Sequence, residues 1–141
     1  MKLLTGDEMV ELAAVDDAGL TVAQEKLLPV TGEICEWDWL WKGVKAGFYK
    51  AVEIRRNGEA VYRYFYHIND QGNLNINASV FVATKKPDCW LWYLGANLIA
   101  KQERARGILC VTNRRGHIEQ CERVGFKILG VQMFKEFELE P

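Results

Sequence analysis

The stretch ARGILCVTNRRGHIEQCERVGF, residues 105–126, decides the fold class of this chain. Its apolar run from Ile108 to Thr112 is typical of a strand buried on both faces. A helix is predicted from about Arg115 to Val124, closing at Gly125, and a final strand over roughly Lys127 to Phe137. This part of the chain therefore alternates strand and helix, as α/β proteins do.

Upstream of this stretch the pattern predicts a helix preceded by three antiparallel strands. The helix runs from Trp90 to Arg106, with Asp88 as its N-cap and Gly107 at its end. Asn57-Gly58 favours a type I′ turn between the first two strands, because such a turn needs positive φ at both central residues. The strands are Phe48 to Arg56, Glu59 to Ile68 and Leu74 to Ala83. Alternation in the third predicts one shared face for Leu74, Ile76, Ala78, Val80 and Val82.

The first third of the chain predicts a short strand and two helices. Lys2 to Leu4 forms the strand, and Thr5-Gly6-Asp7-Glu8 has the form of a capping box for a helix to about Asp17. Pro29 and Gly32 then predict a break between the two helices. A second helix then starts near Glu33 and presents an apolar stripe of Ile34, Trp37, Trp41 and Val44, with Trp39 off that stripe.

Length and composition favour one mixed α/β domain over residues 1–141, with a net charge of −1. The charge balance argues against nucleic-acid binding as the main role. The longest uncharged apolar stretch is about half of the roughly 20 residues that a membrane span needs, and no secretory leader is evident. We expect a cytoplasmic protein. Four cysteines without a Cys-x-x-Cys pair, and two histidines, argue against a metal site or a disulfide framework.

The element order, with Gly107, the Thr112-Asn113 end of the buried strand and the Gly125-Phe126 pair, resembles the GNAT superfamily of N-acetyltransferases. The resemblance covers most of the chain. It implies the GNAT-like acyl-CoA N-acyltransferase fold, in which antiparallel strands 2 to 4 are followed by a helix, a buried strand, a helix and a strand.

The family holds the pyrophosphate of acetyl-CoA in a loop of form Q/R-x-x-G-x-G/A at a helix N-terminus, where free amides attract anions. In this chain the loop is Lys85 to Trp92, and Trp90 and Trp92 stand near the glycine positions. Pro87 lacks an amide and Asp88 adds a carboxylate. We therefore expect no cofactor. If acetyl-CoA does bind, the resemblance assigns its contacts to Phe81, Ala83, Lys85, Lys86 and Asn113.

The family's proton donor to the departing thiolate is often a tyrosine four residues before the Gly-Phe pair. Cys121 has that position here, so an active enzyme would use Cys121 as general acid, although a packing role is the more common one for a buried cysteine. The candidate bases for an amine substrate are Glu53, His67 and a water bound by a strand asparagine, and the sequence singles out none of them.

Three tryptophans, Trp39, Trp90 and Trp92, are candidate protein contacts. Helical residues two positions apart point about 200° from each other, so Trp90 and Trp92 cannot share a face. We expect one of the two indoles to be buried toward the strand that contains Phe81 and Ala83, where it narrows the cofactor groove, and the other to be exposed.

Together these features favour a non-catalytic GNAT-fold protein that acts in binding or assembly through a protein partner or self-association. It is similar to bacteriophage virion and head-assembly proteins that keep this fold, which would place it in the host cytoplasm or the virion. The alternative is an active N-acetyltransferase that transfers acetyl from acetyl-CoA to an amine.

Overall fold

The computed structural model describes residues 2–5, 8–34, 37–84, 86–112, 115–130, 133 and 135. The chain combines one mixed sheet with helices in both halves. In order, its elements are β1 (Lys2–Thr5), β2 (Glu8–Ala14), α1 (Asp17–Ile34), α2 (Trp37–Lys45), β3 (Lys50–Arg56), β4 (Glu59–Ile68), β5 (Leu74–Phe81), α3 (Cys89–Gln102), β6 (Ile108–Cys110) and α4 (Arg115–Arg123).

The sheet has six strands that follow the chain in spatial order, from β1 to β6. The first five pair antiparallel, and β6 pairs in parallel with β5. The turn predicted at Asn57-Gly58 is confirmed, because φ is +50° at Asn57 and +83° at Gly58, between β3 and β4. The predicted mixed fold class agrees with this architecture.

The helix predicted from the capping box to about Asp17 is wrong, since Glu8–Ala14 is strand β2, paired with β3. Val10 is buried and Leu12 packs against the same core. Val10 and Leu12 are two positions apart and therefore share one face of a strand. Pairing with β3 stabilises the strand more than the loose apolar spacing favours a helix. Helix α1 starts at Asp17, where the Asp16 carboxylate accepts the Gly19 N–H at 2.7 Å.

Helix α1 continues through Pro29 and Gly32, so the predicted break at these residues is also wrong. None of the helices in the described part of the chain is both long enough and apolar enough to cross a membrane.

The two faces of the sheet pack against separate cores. The larger core lies under α3 and includes Tyr62, Tyr64 and Tyr66 of β4. The smaller core lies on the other face, where Leu40 of α2 packs with Tyr49, Phe65, Val80 and Ala23. Trp41 and Val44 pack against this smaller core, as their helical stripe predicts.

A β-bulge at Asn77 divides β5 into two halves with opposite facing. Phe65 pairs with Ala78 while Tyr66 pairs with Ile76, so Asn77 is the extra residue. One inserted residue moves every following side chain to the other face. Leu74 and Ile76 therefore belong to the larger core, whereas Ala78, Val80 and Val82 belong to the smaller one, so the single shared face predicted for them is wrong.

The ends of the last elements differ in part from the prediction. Helix α3 ends at Gln102, before the predicted end at Gly107. Arg104 adopts positive φ (+54°), and the Ala105 N–H donates to the Ala100 carbonyl, which closes the helix. Helix α4 closes as predicted at Gly125, whose φ is +99°.

Strand β6 is shorter than predicted and only partly buried, and among the described residues it pairs with β5 alone. The strand predicted over residues 127–137 is absent from residues 127–130, 133 and 135, and the rest of it lies outside the described residues.

Gly95 marks the closest approach of α3 to the sheet. A Cβ there would overlap the Tyr64 hydroxyl, which donates to Trp92 O at 2.8 Å. We expect Gly95→Ala to lower the free energy of unfolding by about 1–3 kcal/mol through overpacking, measured by urea denaturation. Gly116→Ala is the matched control, because a Cβ at that α4 position meets nothing within 4 Å. Equal stability of the two variants would contradict this packing.

Candidate functional site

Strands β5 and β6 stop pairing part-way along β5, and the space beyond that point is the candidate cleft. The two strands pair from Leu74–Ile108 to Ile76–Cys110 and no further, and the bulge at Asn77 follows at once. Beyond the bulge, Phe81 and Ala83 pack toward the core beneath α3. The candidate cofactor residues Phe81 and Ala83 therefore do lie together, at the far end of β5.

The N-terminus of α3 faces this end of the cleft, and Asp88 caps it. The Asp88 carboxylate accepts a hydrogen bond from the Leu91 N–H at 3.2 Å. The backbone N–H of Asp88 donates to the Tyr62 hydroxyl at 3.1 Å. Arg56 of β3 donates to the same carboxylate at 2.5 Å and lies 3.4 Å from Glu8. The positive N-terminal end of α3 thus interacts with the Asp88 carboxylate, which Arg56 holds in place.

Trp92 fills the space between α3 and the second half of β5. Its Nε1 donates to Ser79 Oγ at 3.0 Å, and its ring makes an edge contact with the His117 ring, with centroids 4.5 Å apart. Only 4% of Trp92 is exposed, whereas 62% of Trp90 is exposed. The prediction that one indole is buried and the other exposed is confirmed. Of the three candidate contact tryptophans, Trp39 and Trp90 are at the surface and Trp92 is not.

Lys26 of α1 reaches the end of β5 from the other side of the sheet. Val82 N donates to Val61 O, so the Phe81 backbone points away from β4, toward the open edge. Lys26 Nζ lies 3.3 Å from Phe81 O and donates to it. A carbonyl at the mouth of the cleft is therefore already bonded to a side chain of this chain.

The residues at this cleft do not fit acetyl-CoA, the cofactor that the resemblance implies. A helix N-terminus attracts phosphate through free N–H groups and its dipole, but here Asp88 supplies the negative charge and takes the Leu91 N–H. A pyrophosphate would meet that carboxylate, and a pantetheine arm would meet Trp92. Lys86 is exposed, while Lys85 and Asn113 lie outside the described residues.

Cys121 is buried on α4 and belongs to the core beneath α3. Burial, then the neighbouring Cys110, raises the pKa of Cys121 to about 12. A thiol of that pKa is a weaker acid than an ordinary thiol by roughly three pKa units, so it transfers a proton to a departing thiolate only uphill. The role of Cys121 as general acid stays a prediction that this environment does not favour.

The two candidate bases have different surroundings. Glu53 is buried beneath α1, and its oxygens accept from Arg55 Nε at 2.6 Å and Arg63 Nε at 3.1 Å. Both carboxylate oxygens are thus engaged. His67 lies beside the bulge, with Nδ1 2.8 Å from Asn77 Oδ1. His67 is the candidate base that lies next to the point where the strands separate.

An exposed aromatic cluster lies where α2 meets β3. Tyr49 is its buried centre, and the Trp39 and Phe48 rings pack edge-on against it at centroid distances of 5.3 Å and 4.8 Å. Phe48 also stacks on His67. Trp39 is 58% exposed and Phe48 is 61% exposed. Two large rings that pack on the same buried tyrosine are thus exposed to solvent.

Sequence reasoning missed Arg56, Lys26 and Ser79, which hold Asp88, the end of β5 and Trp92 respectively. No local signal marks them, since each acts on a residue distant in the chain. The sequence does predict Asp88 as the N-cap of α3, but its ion pair with Arg56 joins residues 32 positions apart.

A small cavity of about 70 Å³ lies between the start of α3 and α4. Aromatic rings form much of its wall, and two thiols, of Cys89 and Cys121, also line it. The remaining lining residues are Trp90, Trp92, Tyr93, His117, Gln120 and Val124.

Comparison with known proteins identifies the fold. No protein-family model matches the sequence, and no curated protein matches it. Solved structures do match. A possible acetyltransferase from Clostridium difficile 630 is 17% identical, with a TM-score of 0.57, over 94% of this chain and 99% of that one. An acetyltransferase from Trypanosoma brucei is 14% identical, with a TM-score of 0.61, over 91% and 99%.

A GNAT family acetyltransferase from Brucella melitensis, solved in complex with acetyl-CoA, is 13% identical, with a TM-score of 0.57, over 89% of this chain and 92% of that one. Identities this low show the fold and nothing finer. The chain has the GNAT fold, as its resemblance implied.

The raised pKa of Cys121 predicts a loss of stability at high pH. In the folded protein the thiol stays protonated to about pH 12, whereas in the unfolded chain it ionises near its ordinary value of 9.0. The unfolded state therefore binds fewer protons above pH 9, and the free energy of unfolding should fall from pH 9 through 12.

We expect Cys121→Ala to reduce this slope, measured by urea denaturation at pH 8, 9, 10 and 11. Burial also raises the pKa values of Tyr64, Tyr66 and Cys110, which remain in both proteins, so the difference between the two slopes reports the removal of Cys121. Identical slopes in the two proteins would contradict the prediction.

Proposed function

We propose that this GNAT-fold chain binds another protein and does not transfer acetyl groups. The observation that carries the proposal is the Asp88–Arg56 pair at the start of α3, which supplies from within the chain the negative charge that a pyrophosphate would bring. Trp92 and Lys26 support it, because each makes a contact inside the cleft that a cofactor would have to break.

The exposed rings of Trp39 and Phe48 are the proposed contact surface. Large aromatic side chains are enriched at protein interfaces, where they contribute much of the binding energy for their area. Their packing on buried Tyr49 holds them in place before binding, which lowers the entropy cost of association. The bacteriophage assembly role stays a prediction, and genes for portal, scaffold or coat proteins beside this one would support it.

N-acetyl transfer is the second candidate, and two observations favour it. The similar structures named above are a possible acetyltransferase, an acetyltransferase and a GNAT family acetyltransferase solved with acetyl-CoA. The bulge at Asn77 also brings His67 beside the point where β5 and β6 separate. In that function His67 would take the proton of the acceptor amine, and Asp88 would have to release Arg56 before a pyrophosphate could approach.

Titration with acetyl-CoA to 1 mM, followed by thermal unfolding, separates the two functions. We expect no saturable shift of the melting temperature. A ligand at 100 times its dissociation constant adds about 2.7 kcal/mol, enough to move the midpoint of a domain of this size by several degrees. ATP at equal concentration controls for non-specific anion effects.

Asp88→Asn is the matched variant, because Asn keeps the helix cap and removes the charge. A gain of acetyl-CoA binding in this variant alone would identify the Asp88 charge as the barrier. A saturable shift in the unmodified protein would defeat the proposal and favour acetyl transfer.

The contact surface is tested by sedimentation velocity across a hundredfold range of protein concentration. If copies of the chain associate through it, Trp39→Ala should weaken the association by roughly tenfold or more, because central aromatic anchors contribute on the order of 2 kcal/mol. Val111→Ala, at an exposed apolar residue after β6, is the control. Association that neither Trp39→Ala nor Phe48→Ala weakens would contradict the assignment of this surface.

A further inference from the structure

Helices α1 and α2 form one layer on the sheet, and each turns one side toward the smaller core. Ala23 of α1 and Leu40 of α2 are fully buried there. The two helices also contact each other. Residues two positions from Ala23 or Leu40 point about 200° away from the core, so they belong to the outer surface of this layer.

The outer surface of α1 is acidic. Thr21 and Glu25 each stand two positions from Ala23, and both are exposed. Asp17 is also exposed and stands one turn before Thr21, on the same side of the helix. Lys26, the basic residue of α1, donates to a carbonyl at the end of β5. An exposed stripe with two carboxylates therefore runs along the outside of α1.

The outer surface of α2 is basic. Lys42 stands two positions after Leu40, Lys45 follows one turn later, and both are exposed. Lys45 also lies over the Trp41 ring, 5.0 Å from its centroid. Among the residues that the structure describes, neither lysine pairs with a carboxylate. The acidic residue of α2, Asp38, belongs to its first turn, whereas the lysines occupy the last.

The exposed rings of Trp39 and Phe48 border these lysines. The sequence from Trp39 to Lys50 holds three lysines and no acidic residue. Lys50 already pairs with a carboxylate of this chain at 2.9 Å. Lys42 and Lys45 are therefore the charges beside the two rings that are available to a partner.

We propose that two copies of this chain form a twofold-symmetric dimer, in which the acidic α1 of each copy packs against α2 and Phe48 of the other. The inference rests on the proposed function, because it names a second copy as the protein that binds at Trp39 and Phe48. A twofold axis brings the same patch of both copies together, so that patch must be complementary to itself. Two adjacent helices of opposite charge meet this condition, since rotation about an axis that runs between them places each against its opposite.

The charges of the layer favour a second copy over a partner of one charge sign. An acidic partner would be attracted to α2 and repelled by α1, and a basic partner would meet the reverse. The same asymmetry extends through the chain. Residues 1–40 contain two basic and nine acidic residues, whereas the remaining part contains 16 basic and ten acidic ones. A second copy supplies both signs side by side, as the layer requires.

Sedimentation velocity of the unmodified chain, over a hundredfold range of concentration, is the first test. We expect a monomer–dimer equilibrium whose dissociation constant rises about tenfold or more between 50 mM and 500 mM NaCl, because salt screens exposed charges. A chain that stays monomeric throughout, or a dimer indifferent to salt, would overturn the proposal. Assembly that grows beyond two copies would also overturn it, since such growth indicates head-to-tail contacts.

Reversing the charge of one helix at a time tests whether the dimer uses this layer. Thr21→Lys/Glu25→Lys makes α1 basic, and Lys42→Glu/Lys45→Glu makes α2 acidic. Each variant alone should dimerise at least tenfold more weakly, because its two copies present like charges to each other. An equimolar mixture of the two variants should form a heterodimer, since both contacts then join opposite charges again.

Lys101→Glu/Arg123→Glu is the matched control. It makes the same change of charge as Lys42→Glu/Lys45→Glu, at exposed positions of α3 and α4, on the other face of the sheet. The control should dimerise as the unmodified chain does. Folded variants that stay monomeric when mixed, or a control that dimerises as weakly as they do, would overturn the use of this layer. Should a variant fail to fold, Glu25→Gln and Lys42→Gln replace it and should each weaken dimerisation about threefold.

The result is separable from the test of the proposed function. A monomeric chain that does not bind acetyl-CoA would remove the second copy as partner and leave protein binding standing. A saturable acetyl-CoA shift would defeat the proposed function whether or not the chain dimerises.

Discussion

The bulge at Asn77 is the constraint on which the arrangement of the cleft depends. The extra residue turns the second half of β5 over, so that Ser79 and Phe81 face α3. It also stands where β6 stops pairing with β5. With regular pairing, Ser79 would lie under α1 and α2, and the indole of Trp92 would lose its acceptor. A single inserted residue therefore both opens the cleft and determines which side chain fills it.

The same physics that lets relatives of this fold bind a phosphate explains how this chain fills its own cleft. A helix N-terminus stabilises negative charge from any source. At the start of α3 that charge is the Asp88 carboxylate, which Arg56 holds in place. The ion pair is partly exposed and contributes at most about 1 kcal/mol, while a helix cap contributes about 0.5–2 kcal/mol. Fold and cofactor binding are separable, because the sheet needs neither the free amides nor the glycines.

Features that depend on neighbours in sequence were predictable, and those that depend on distant partners were not. Asn57-Gly58, Gly125 and the opposite facing of Trp90 and Trp92 follow from turn and helix geometry alone. Strand β2 escaped prediction because its apolar spacing suits either a helix or a strand until β3 pairs with it.

The bulge has no local signature at all, since alternation in β5 continues through Asn77 in sequence while it reverses in space. The contact of Trp92 with Ser79 depends in turn on that pairing, and the contact of Asp88 with Arg56 joins residues 32 positions apart. The candidate site was therefore less predictable than the fold that carries it.

The division of the interior into two unequal cores has a consequence for motion. Among the side chains that the structure describes, the layer formed by α1 and α2 rests on the smaller core, which has fewer buried members than the larger one, and Arg63 joins the layer to the sheet through the Gly19 carbonyl. Such a layer can detach while the strands and α3 stay packed, because the larger core lies on the opposite face. Amide hydrogens of α1 should then exchange with solvent through partial opening, while those of β4 exchange only when the whole molecule unfolds.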